Sequence, residues 1–393
     1  MLLYILPILI LFLLPSSLLS STPSIAFKSP SSPLYSLLQQ YYTGHPYQWA
    51  GLSYANIDYN QFAQTIKYGN PQDYQIIDLV GSGYFGTVSK AIHKDFPEKV
   101  FAYKSLKLPC DNSRLLKELY ILYQLKDAPN YLPIRDILKT EDANGKPACV
   151  LVFDFFKSVD YHEFRQHLTK SQLKRFLYDV FTTLDYIHSR GVIHRDLKAD
   201  NILVNPHTKQ VRLIDLNQAV HYLPGKRLMT FVMENPHKPP ELLLDSRYYD
   251  YSVDIWSLGI ILAELVFKKH PFPGYPASPF VLDESLREIA AKSRYFEIYR
   301  RLLDNIERVM GSVELAQYVD KFREEWELDP KTLKGFKNYY PKVNLKDLID
   351  PGHKEIADAL VMDLMRKMLV VDHTKRITAK EALLHPYFTD MSD

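Results

Sequence analysis

The sequence has few cysteines and no excess of charge of either sign. Its 393 residues include 2 cysteines, Cys110 and Cys149, whose spacing is not typical of metal ligands. A disulfide framework is therefore excluded, and a structural zinc site is not supported. Two buried free cysteines are the more usual state, and a single bridge stays open as the alternative. The 48 basic residues nearly balance the 46 acidic ones, so charge gives no reason to expect a nucleic-acid partner.

Long apolar runs are also missing, except at the N-terminus. Residues 1–14 are apolar and are followed by Pro15 and a small, polar stretch to about residue 33. The run has the length of a signal-peptide core and is short for a membrane span, so we expect a signal peptide or signal anchor over residues 1–26. No Lys or Arg precedes the run, and the chain holds no Asn-x-Ser/Thr acceptor. These two absences leave an unusual apolar extension or a wrong gene start as alternatives.

The rest of the chain predicts an N-terminal arm over 27–73, one domain over 74–388 and a short tail over 389–393. Period-two patterns predict strands over 74–80, 86–92, 100–106, 132–138 and 148–155. Helical spacing predicts helices over 113–125, 173–187, 252–267, 282–309, 312–325, 355–369 and 379–384. The predicted fold is α+β and bilobal. A small antiparallel-sheet lobe with one main helix (74–154) precedes a large, mainly helical lobe (155–388).

A glycine-rich loop lies between the first two predicted strands. It follows Val80 and reads Gly81, Ser82, Gly83, Tyr84, Phe85, Gly86, Thr87, Val88, which fits G-x-G-x-x-G-x-V. Glycines let backbone amides approach phosphates closely, and a dinucleotide-binding fingerprint would require a helix to follow. On its own the loop is equally compatible with a glycine-rich hairpin.

Lys104 on the third predicted strand and Glu118 on the following helix form the next candidate pair. The ammonium can contact the α- and β-phosphates of a nucleotide, and the carboxylate can hold it there. Taken singly, a strand lysine is ordinarily a solvated edge residue, and a helix glutamate is ordinarily a surface charge.

The most specific motif is His194-Arg195-Asp196-Leu197 with Asn201 five residues after Asp196, which matches H-R-D-L-x-x-x-N. Asp196 would accept the proton of a substrate hydroxyl, Lys198 would neutralise charge on the transferred phosphoryl group, and Asn201 would ligate magnesium. Asp215 follows a β-rich segment and supplies the expected second metal ligand. Leu216 and Asn217 come next, where Phe-Gly is usual, and Asn tolerates a positive φ better than most residues.

Further motifs describe the large lobe. They are Pro239-Pro240-Glu241, Asp254-Ile255-Trp256-Ser257-Leu258-Gly259 and Arg376, a candidate ion-pair partner of Glu241. With these residues the chain resembles the eukaryotic protein kinases over about 56–388, and among them the catalytic alpha subunit of casein kinase II. The most particular matching segments are 70–75, 212–215, 240–245, 249–252, 327–330 and 385–388.

The resemblance implies a protein serine/threonine kinase that uses ATP, with GTP as an alternative, together with Mg²⁺. Lys198 is typical of kinases that phosphorylate Ser and Thr. The adenine is expected between Val88, Ala102, Leu203 and Ile214, with Phe153 behind it and the backbone of Asp154 in the hinge. The family also implies nuclear and cytoplasmic location, whereas the N-terminal signal implies the secretory pathway or the extracellular space. Membrane contact is expected only through an uncleaved N-terminal segment.

Departures from the family concern its partners. Residues 108–114 replace a lysine-rich run, which places the acidic-substrate preference in doubt. Lys238 is retained, but Phe231, Glu234, Asn235 and His237 change the loop around it. Ser89 replaces an aromatic residue that anchors the regulatory beta subunit, which weakens the case for that partner. An extra segment near 275–295 has no family role.

Three hypotheses follow from the sequence. The first is an active kinase, because no residue needed for phosphoryl transfer is missing. The second is a pseudokinase that binds nucleotide or serves as a scaffold, which Asn217 and the changed activation segment favour. The third is a kinase-fold enzyme with a small-molecule substrate, which the protein-kinase pattern of the large lobe argues against.

Overall fold

A computed structural model describes residues 54, 57–83, 86–142, 144–205, 207–230, 237–272, 299–324 and 340–391 of the chain. The predicted signal segment, Tyr84, Phe85, the altered loop residues 231–235 and the extra segment near 275–295 lie outside these ranges. Inside them, no helix combines the length and the apolarity needed to cross a membrane.

An antiparallel sheet of five strands forms the small lobe, in the order β1-β2-β3-β5-β4. The strands are β1 Tyr74–Gly83, β2 Gly86–His93, β3 Phe96–Leu106, β4 Ile134–Glu141 and β5 Pro147–Asp154. One long helix, α2 (Ser113–Gln124), packs on this lobe, and the short helix α1 (Tyr59–Thr65) of the arm packs on α2. The predicted small lobe with a single main helix is confirmed.

Helix α2 begins directly after a capping residue, Asn112. The side chain of Asn112 accepts hydrogen bonds from the amides of Arg114 and Leu115, which satisfies donors that the first helical turn leaves free. Its apolar face, which includes Leu115 and Leu119, is buried in the core. The predicted range of 113–125 therefore differs from the observed one by a single residue.

Strand ends differ more from the predictions. Strand β3 begins at Phe96 instead of residue 100, because His93 pairs with Phe96 across a tight turn and the ladder continues from there. Strand β4 covers Ile134–Glu141 instead of 132–138, since its pairing with β5 continues to Glu141 opposite Pro147. Hairpin pairing, which depends on the partner strand, sets these limits.

The large lobe is mainly helical. Its helices are α3 Tyr161–Gln166, α4 Lys170–Ser189, α5 Pro240–Leu243, α6 Ser252–Phe267, α7 over 299–310, α8 Ser312–Phe322, α9 Ala359–Met368 and α10 Ala379–Leu383. Two antiparallel strand pairs are β6 (Val192–Ile193) with β9 (Val220–His221), and β7 (Ile202–Asn205) with β8 (Gln210–Leu213). Short 3₁₀ turns of this lobe lie at Ala199–Asn201, Leu345–Leu348, Pro351–His353, His373–Lys375 and Pro386–Phe388, and a further one, Pro71–Asp73, directly precedes β1.

Two predicted helices are shorter than expected. Helix α9 begins at Ala359 instead of residue 355, because the Asp358 side chain accepts hydrogen bonds from the amides of Leu360 and Val361 and caps the helix there. Helix α8 ends at Phe322, and the predicted helix over 282–309 is described only from residue 299.

The hydrophobic core is continuous between the lobes. Buried residues of α2, α4 and α6 belong to one cluster, including Leu119, Phe176 and Trp256. Helix α6 is almost wholly buried and forms the centre of the large lobe. The catalytic-loop motif, His194–Asn201, and Asp215 lie on the segments that directly follow β6 and β8.

Cys110 and Cys149 are joined by a disulfide. Both are buried, as expected, but the expectation of two free thiols is wrong. Cys149 lies on β5, and Cys110 follows the end of β3. The two cysteines are 39 residues apart in the sequence. Because β3 and β5 are neighbours in the sheet, the fold brings the two side chains together.

Candidate active site

The catalytic loop is the segment from His194 to Asn201, directly after β6. A buried carboxylate, Asp254 of α6, holds its start: the amides of His194 and Arg195 donate to the two Asp254 oxygens, each over 2.9 Å. His188 lies 2.9 Å from the same carboxylate. Burial opposes the negative charge, but His188 and the backbone donor outweigh it and lower the pKa of Asp254 below its ordinary value. The loop therefore starts from a fixed anchor in the core.

Asp196 lies 2% exposed at the centre of this loop. Its Oδ2 accepts a hydrogen bond of 3.0 Å from the Asn201 amide nitrogen, and the Lys198 Nζ is 3.4 Å from the same oxygen. Asn201 also donates to the Asp196 carbonyl over 2.8 Å. These contacts fix the carboxylate that the sequence predicts as proton acceptor and keep a cation beside it.

Asn201 and Asp215 are brought together by the β7–β8 hairpin. The amide of Ile214 donates to the Asn201 carbonyl over 2.9 Å, and the Ile214 carbonyl lies 3.2 Å from the His194 Nε2. Since the Asp196 amide donates to the His194 Nδ1, the Nε2 of that ring bears the hydrogen that Ile214 accepts. The Asn201 amide oxygen and the Asp215 carboxylate are oxygen ligands of the kind that magnesium prefers.

Lys104 of the small lobe contacts two carboxylates, that of Glu118 and that of Asp215. The Lys104 Nζ is 2.9 Å from Asp215 Oδ1 and 3.9 Å from Glu118 Oε1. Burial opposes the Lys104 charge, but Glu118 and Asp215 together raise the pKa of the ammonium. Burial would also raise the pKa of Asp215, and Lys104 reverses this and lowers it. Burial raises the pKa of Glu118, which its weaker contact with Lys104 only partly offsets.

The glycine loop forms the turn of the β1–β2 hairpin, where Gly83 pairs with Gly86. Gly86 has a φ of +153°, and a Cβ there would lie 1.8 Å from the Ser105 carbonyl oxygen, so only glycine fits. At Gly81 and Gly83 a Cβ would meet nothing within 4 Å. Strand β3 is therefore in close contact with the end of the loop, while its first glycines leave open space.

The predicted adenine-lining residues come from both lobes and are all partly buried. Val88, Ala102 and Phe153 lie on β2, β3 and β5 of the small-lobe sheet, whereas Leu203 lies on β7 and Ile214 directly follows β8 in the large lobe. Val80 is 51% exposed at the outer rim. Asp154 follows on β5, and Lys99 and Arg135 hold its side chain. A half-buried apolar surface bordered by Lys104 and the glycine loop suits a purine with phosphates attached.

A family model described as "Protein kinase domain" matches residues 74–388, which is most of the chain. The chain belongs to the protein kinase family. Protein kinase domains are phosphotransferases that use ATP with Mg²⁺, and their substrates are proteins. The geometry above fits this chemistry, since Lys104 contacts Glu118 and Asp215, and Asp196 contacts Lys198 and Asn201.

Two residues of this kinase's site adopt left-handed backbone conformations: Arg195 at φ 66° and Asp215 at φ 69°. Such conformations cost about 1–3 kcal/mol each and persist only where surrounding contacts impose them. Asn217 does not share this conformation, so the positive φ considered for it is not needed. Instead, its amide nitrogen lies 3.3 Å from Asp215 Oδ2 and contacts that carboxylate.

Some functional contacts were not predicted from the sequence. The Arg195 guanidinium donates to the Gln218 carbonyl over 2.6 Å and to the Tyr249 hydroxyl over 2.9 Å, linking the catalytic loop to the segment beyond Asp215. Asp254 was assigned only to the scaffold. The sequence around Asp254 gave no indication that its side chain accepts hydrogen bonds from two amides of the catalytic loop.

The kinase scaffold contains the predicted ion pair. Arg376 donates to both Glu241 oxygens over 2.7 and 2.9 Å, and both side chains are fully buried. Lys238, by contrast, is only 4% exposed and donates to the Tyr299 hydroxyl over 2.8 Å, and the side chain of His237 lies 3.3 Å from that of Glu264. Both therefore have partners within the large lobe.

Proposed function

We propose that this chain is an active protein serine/threonine kinase that transfers the γ-phosphoryl group of Mg-ATP, with GTP as an alternative donor. The observation that carries the proposal is the Lys198 ammonium 3.4 Å from the Asp196 carboxylate. A lysine at this position is the feature of the catalytic loop that resembles Ser/Thr kinases. In this chain the lysine is combined with the other residues assigned to phosphoryl transfer, which are Lys104, Glu118, Asp196, Asn201 and Asp215.

The chemistry proposed for these residues is direct. Asp196 accepts the proton of an incoming Ser or Thr hydroxyl, and Asn201 restrains the carboxylate through its amide. Lys198 stabilises negative charge on the transferred group, and Lys104 holds the phosphates of the donor. Asn201 and Asp215 would hold magnesium, which neutralises phosphate charge when bound. Charge stabilisation and positioning would supply most of the rate, as in other phosphoryl transfers.

We further propose that the kinase is similar to the catalytic subunit of casein kinase II but differs in its partners. Ser89, which replaces an anchoring aromatic residue, is 8% exposed on β2 and offers little surface to a regulatory subunit. The loop that would carry a lysine-rich run contains the exposed Asp111, directly after Cys110 of the disulfide. Acidic substrates would therefore find less positive charge beside the cleft than in the family.

The secretory pathway is the proposed location. A disulfide persists in oxidising compartments and is rare in the cytosol, so the Cys110–Cys149 bridge agrees with the apolar N-terminal run. N-terminal sequencing of the protein from its native source tests this location. A start within residues 16–30 is expected, whereas an intact Met1 on a nuclear or cytoplasmic protein would contradict it.

The activity is tested with the purified full chain, Mg²⁺ and radiolabelled ATP. Peptides that differ only in a Ser, Thr or Tyr acceptor, each in an acidic and a basic form, are compared. Transfer to Ser and Thr is expected, and Asp196→Ala should reduce it by about 10²–10⁴-fold. Equal label from both proteins would refute the assignment, and transfer to Tyr alone would refute the Ser/Thr class.

The second candidate, a pseudokinase, predicts a different outcome of the same experiment. Nucleotide binding measured by calorimetry would be retained while transfer stays at the Asp196→Ala level. Asn217 was one of the reasons for that hypothesis. Its contact with Asp215 favours a different role, in which Asn217 orients the carboxylate that is proposed to bind magnesium.

A further inference from the structure

The disulfide lies at the start of the helix that carries Glu118. Cys110 is two residues before Asn112, the cap of α2, and is 3% exposed. Cys149 is fully buried on β5, where it pairs with Leu106 of β3. The bridge thus joins the segment directly before α2 to β5, which pairs with the central strand β3.

The same strands also carry Lys104. In the β3–β5 ladder Lys104 pairs with Leu151, and Leu106 with Cys149, so the lysine is one ladder step of two residues from the bridge. Glu118, its partner, lies six residues beyond the helix cap, about 9 Å along the axis at 1.5 Å per residue. The covalent link therefore connects the segment before α2 to β5, and the ion pair connects α2 itself to the neighbouring strand β3.

The ion pair has little tolerance for movement. The Lys104 Nζ to Glu118 Oε1 distance is 3.9 Å, at the limit of an ion pair, while Asp215 competes for the ammonium at 2.9 Å. A small outward displacement of the start of α2 would leave Lys104 with Asp215 alone. Displacements of about 1 Å in positioning groups can cost about 100-fold in rate.

The other end of α2 is held without covalent bonds. The Gln124 side chain donates to the Arg190 carbonyl over 2.8 Å and accepts from His221 Nε2 over 2.7 Å. Tyr120 and Tyr123 contact the ring of Phe62 on α1. These contacts attach the C-terminal end to the large lobe and the arm, and they would act as a pivot if the first turn were released.

We propose that the Cys110–Cys149 disulfide positions Glu118 for its ion pair with Lys104, so that phosphoryl transfer depends on the oxidation state of the two cysteines. The inference rests on the proposed kinase activity. On reduction the S–S bond breaks and each sulfur gains one electron and one proton, while a dithiol reductant supplies both pairs and closes to its own cyclic disulfide. The first turn of α2 then keeps its cap and its apolar contacts but loses the covalent link.

The test compares oxidised and dithiothreitol-reduced full-length protein well below the unfolding temperature. Reduction should lower kcat/KM for ATP by about tenfold and speed hydrogen exchange of the α2 amides between Leu115 and Glu118. Reoxidation with oxidised glutathione should restore both. A Cys110→Ala/Cys149→Ala variant should match the reduced protein and show no response to the reductant.

Glu118→Gln separates positioning from general stability. If the bridge acts through Glu118, reducing this variant should change kcat/KM by less than twofold. An equal tenfold loss in the variant, or a lower unfolding temperature with unchanged kinetics and exchange in the wild type, would overturn the inference. If the oxidised wild type transfers no phosphate, the proposed function fails, and the exchange of the α2 amides alone decides whether the bridge positions this helix.

Discussion

Two buried ion pairs, one in each lobe, are built in opposite ways. In the large lobe Glu241 and Arg376 share two hydrogen bonds of 2.7 and 2.9 Å, and neither side chain is exposed. In the small lobe Lys104 and Glu118 are 3.9 Å apart, and 20% of the lysine side chain is exposed. Glu241 is the charged group to which Arg376 donates hydrogen bonds, whereas Lys104 is shared between Glu118 and Asp215. Under the proposed function, the pair that holds the donor phosphates shares its cation with a third residue, whereas the pair that stabilises the fold is fully hydrogen-bonded within itself.

Arg376→Met should produce the largest effect, and it should be on stability. The substitution leaves the Glu241 carboxylate buried without its counter-ion, which typically costs about 3–5 kcal/mol. Urea unfolding should show this loss as a lower midpoint. Lys375→Met is the matched control, because that side chain is 73% exposed and its removal should cost less than about 0.5 kcal/mol. Equal midpoints for the two variants would contradict the comparison.

Glu118→Gln should affect catalysis more than stability. Without the carboxylate the Lys104 ammonium stays on Asp215, and we expect kcat/KM for ATP to fall by about 100-fold while the free energy of unfolding changes by less than about 1 kcal/mol. Steady-state kinetics and urea unfolding measure both quantities. The exposed neighbour Lys117 provides the control, since Lys117→Gln should stay within twofold of the wild type. If the two variants have the same kinetics, the small-lobe pair is not functional.

A smaller effect is expected from pH at the far end of α2. Burial lowers the pKa of His221 to about 4, against an ordinary value of 6.5. Between these two pKa values His221 is protonated in the unfolded chain but neutral in the folded protein. The free energy of unfolding therefore falls as the pH decreases through this window. The contribution amounts to about 2 kcal/mol between pH 7 and pH 5.

Urea unfolding at pH 7 and pH 5 measures this dependence. His221→Gln should lose about 2 kcal/mol less than the wild type over the interval. His207→Gln, at an exposed position, should retain the wild-type dependence. A wild-type slope in the His221 variant would assign the acid sensitivity to other groups.

The sequence predicted the parts of this kinase whose residues are close together along the chain. The H-R-D-L-x-x-x-N run, the glycine loop and the helix over 113–125 are local patterns, and the fold class follows from the order of strands and helices. The Cys110–Cys149 bridge could not be derived in this way, because it depends on β3 and β5 being neighbours across 39 residues. The same applies to Asp254, whose role requires a contact of 60 residues' separation with His194.

Asp254 also has a consequence for how the kinase should fail on heating. Asp254 is 1% exposed in the first turn of α6, and its carboxylate accepts hydrogen bonds from two amides of the catalytic loop. Detachment of the loop would remove both hydrogen bonds from a buried carboxylate, which makes separate unfolding of the loop costly. Thermal inactivation should therefore coincide with the loss of helical signal from the large lobe, and a heated sample should contain intact or unfolded molecules but no folded population with a disordered catalytic loop.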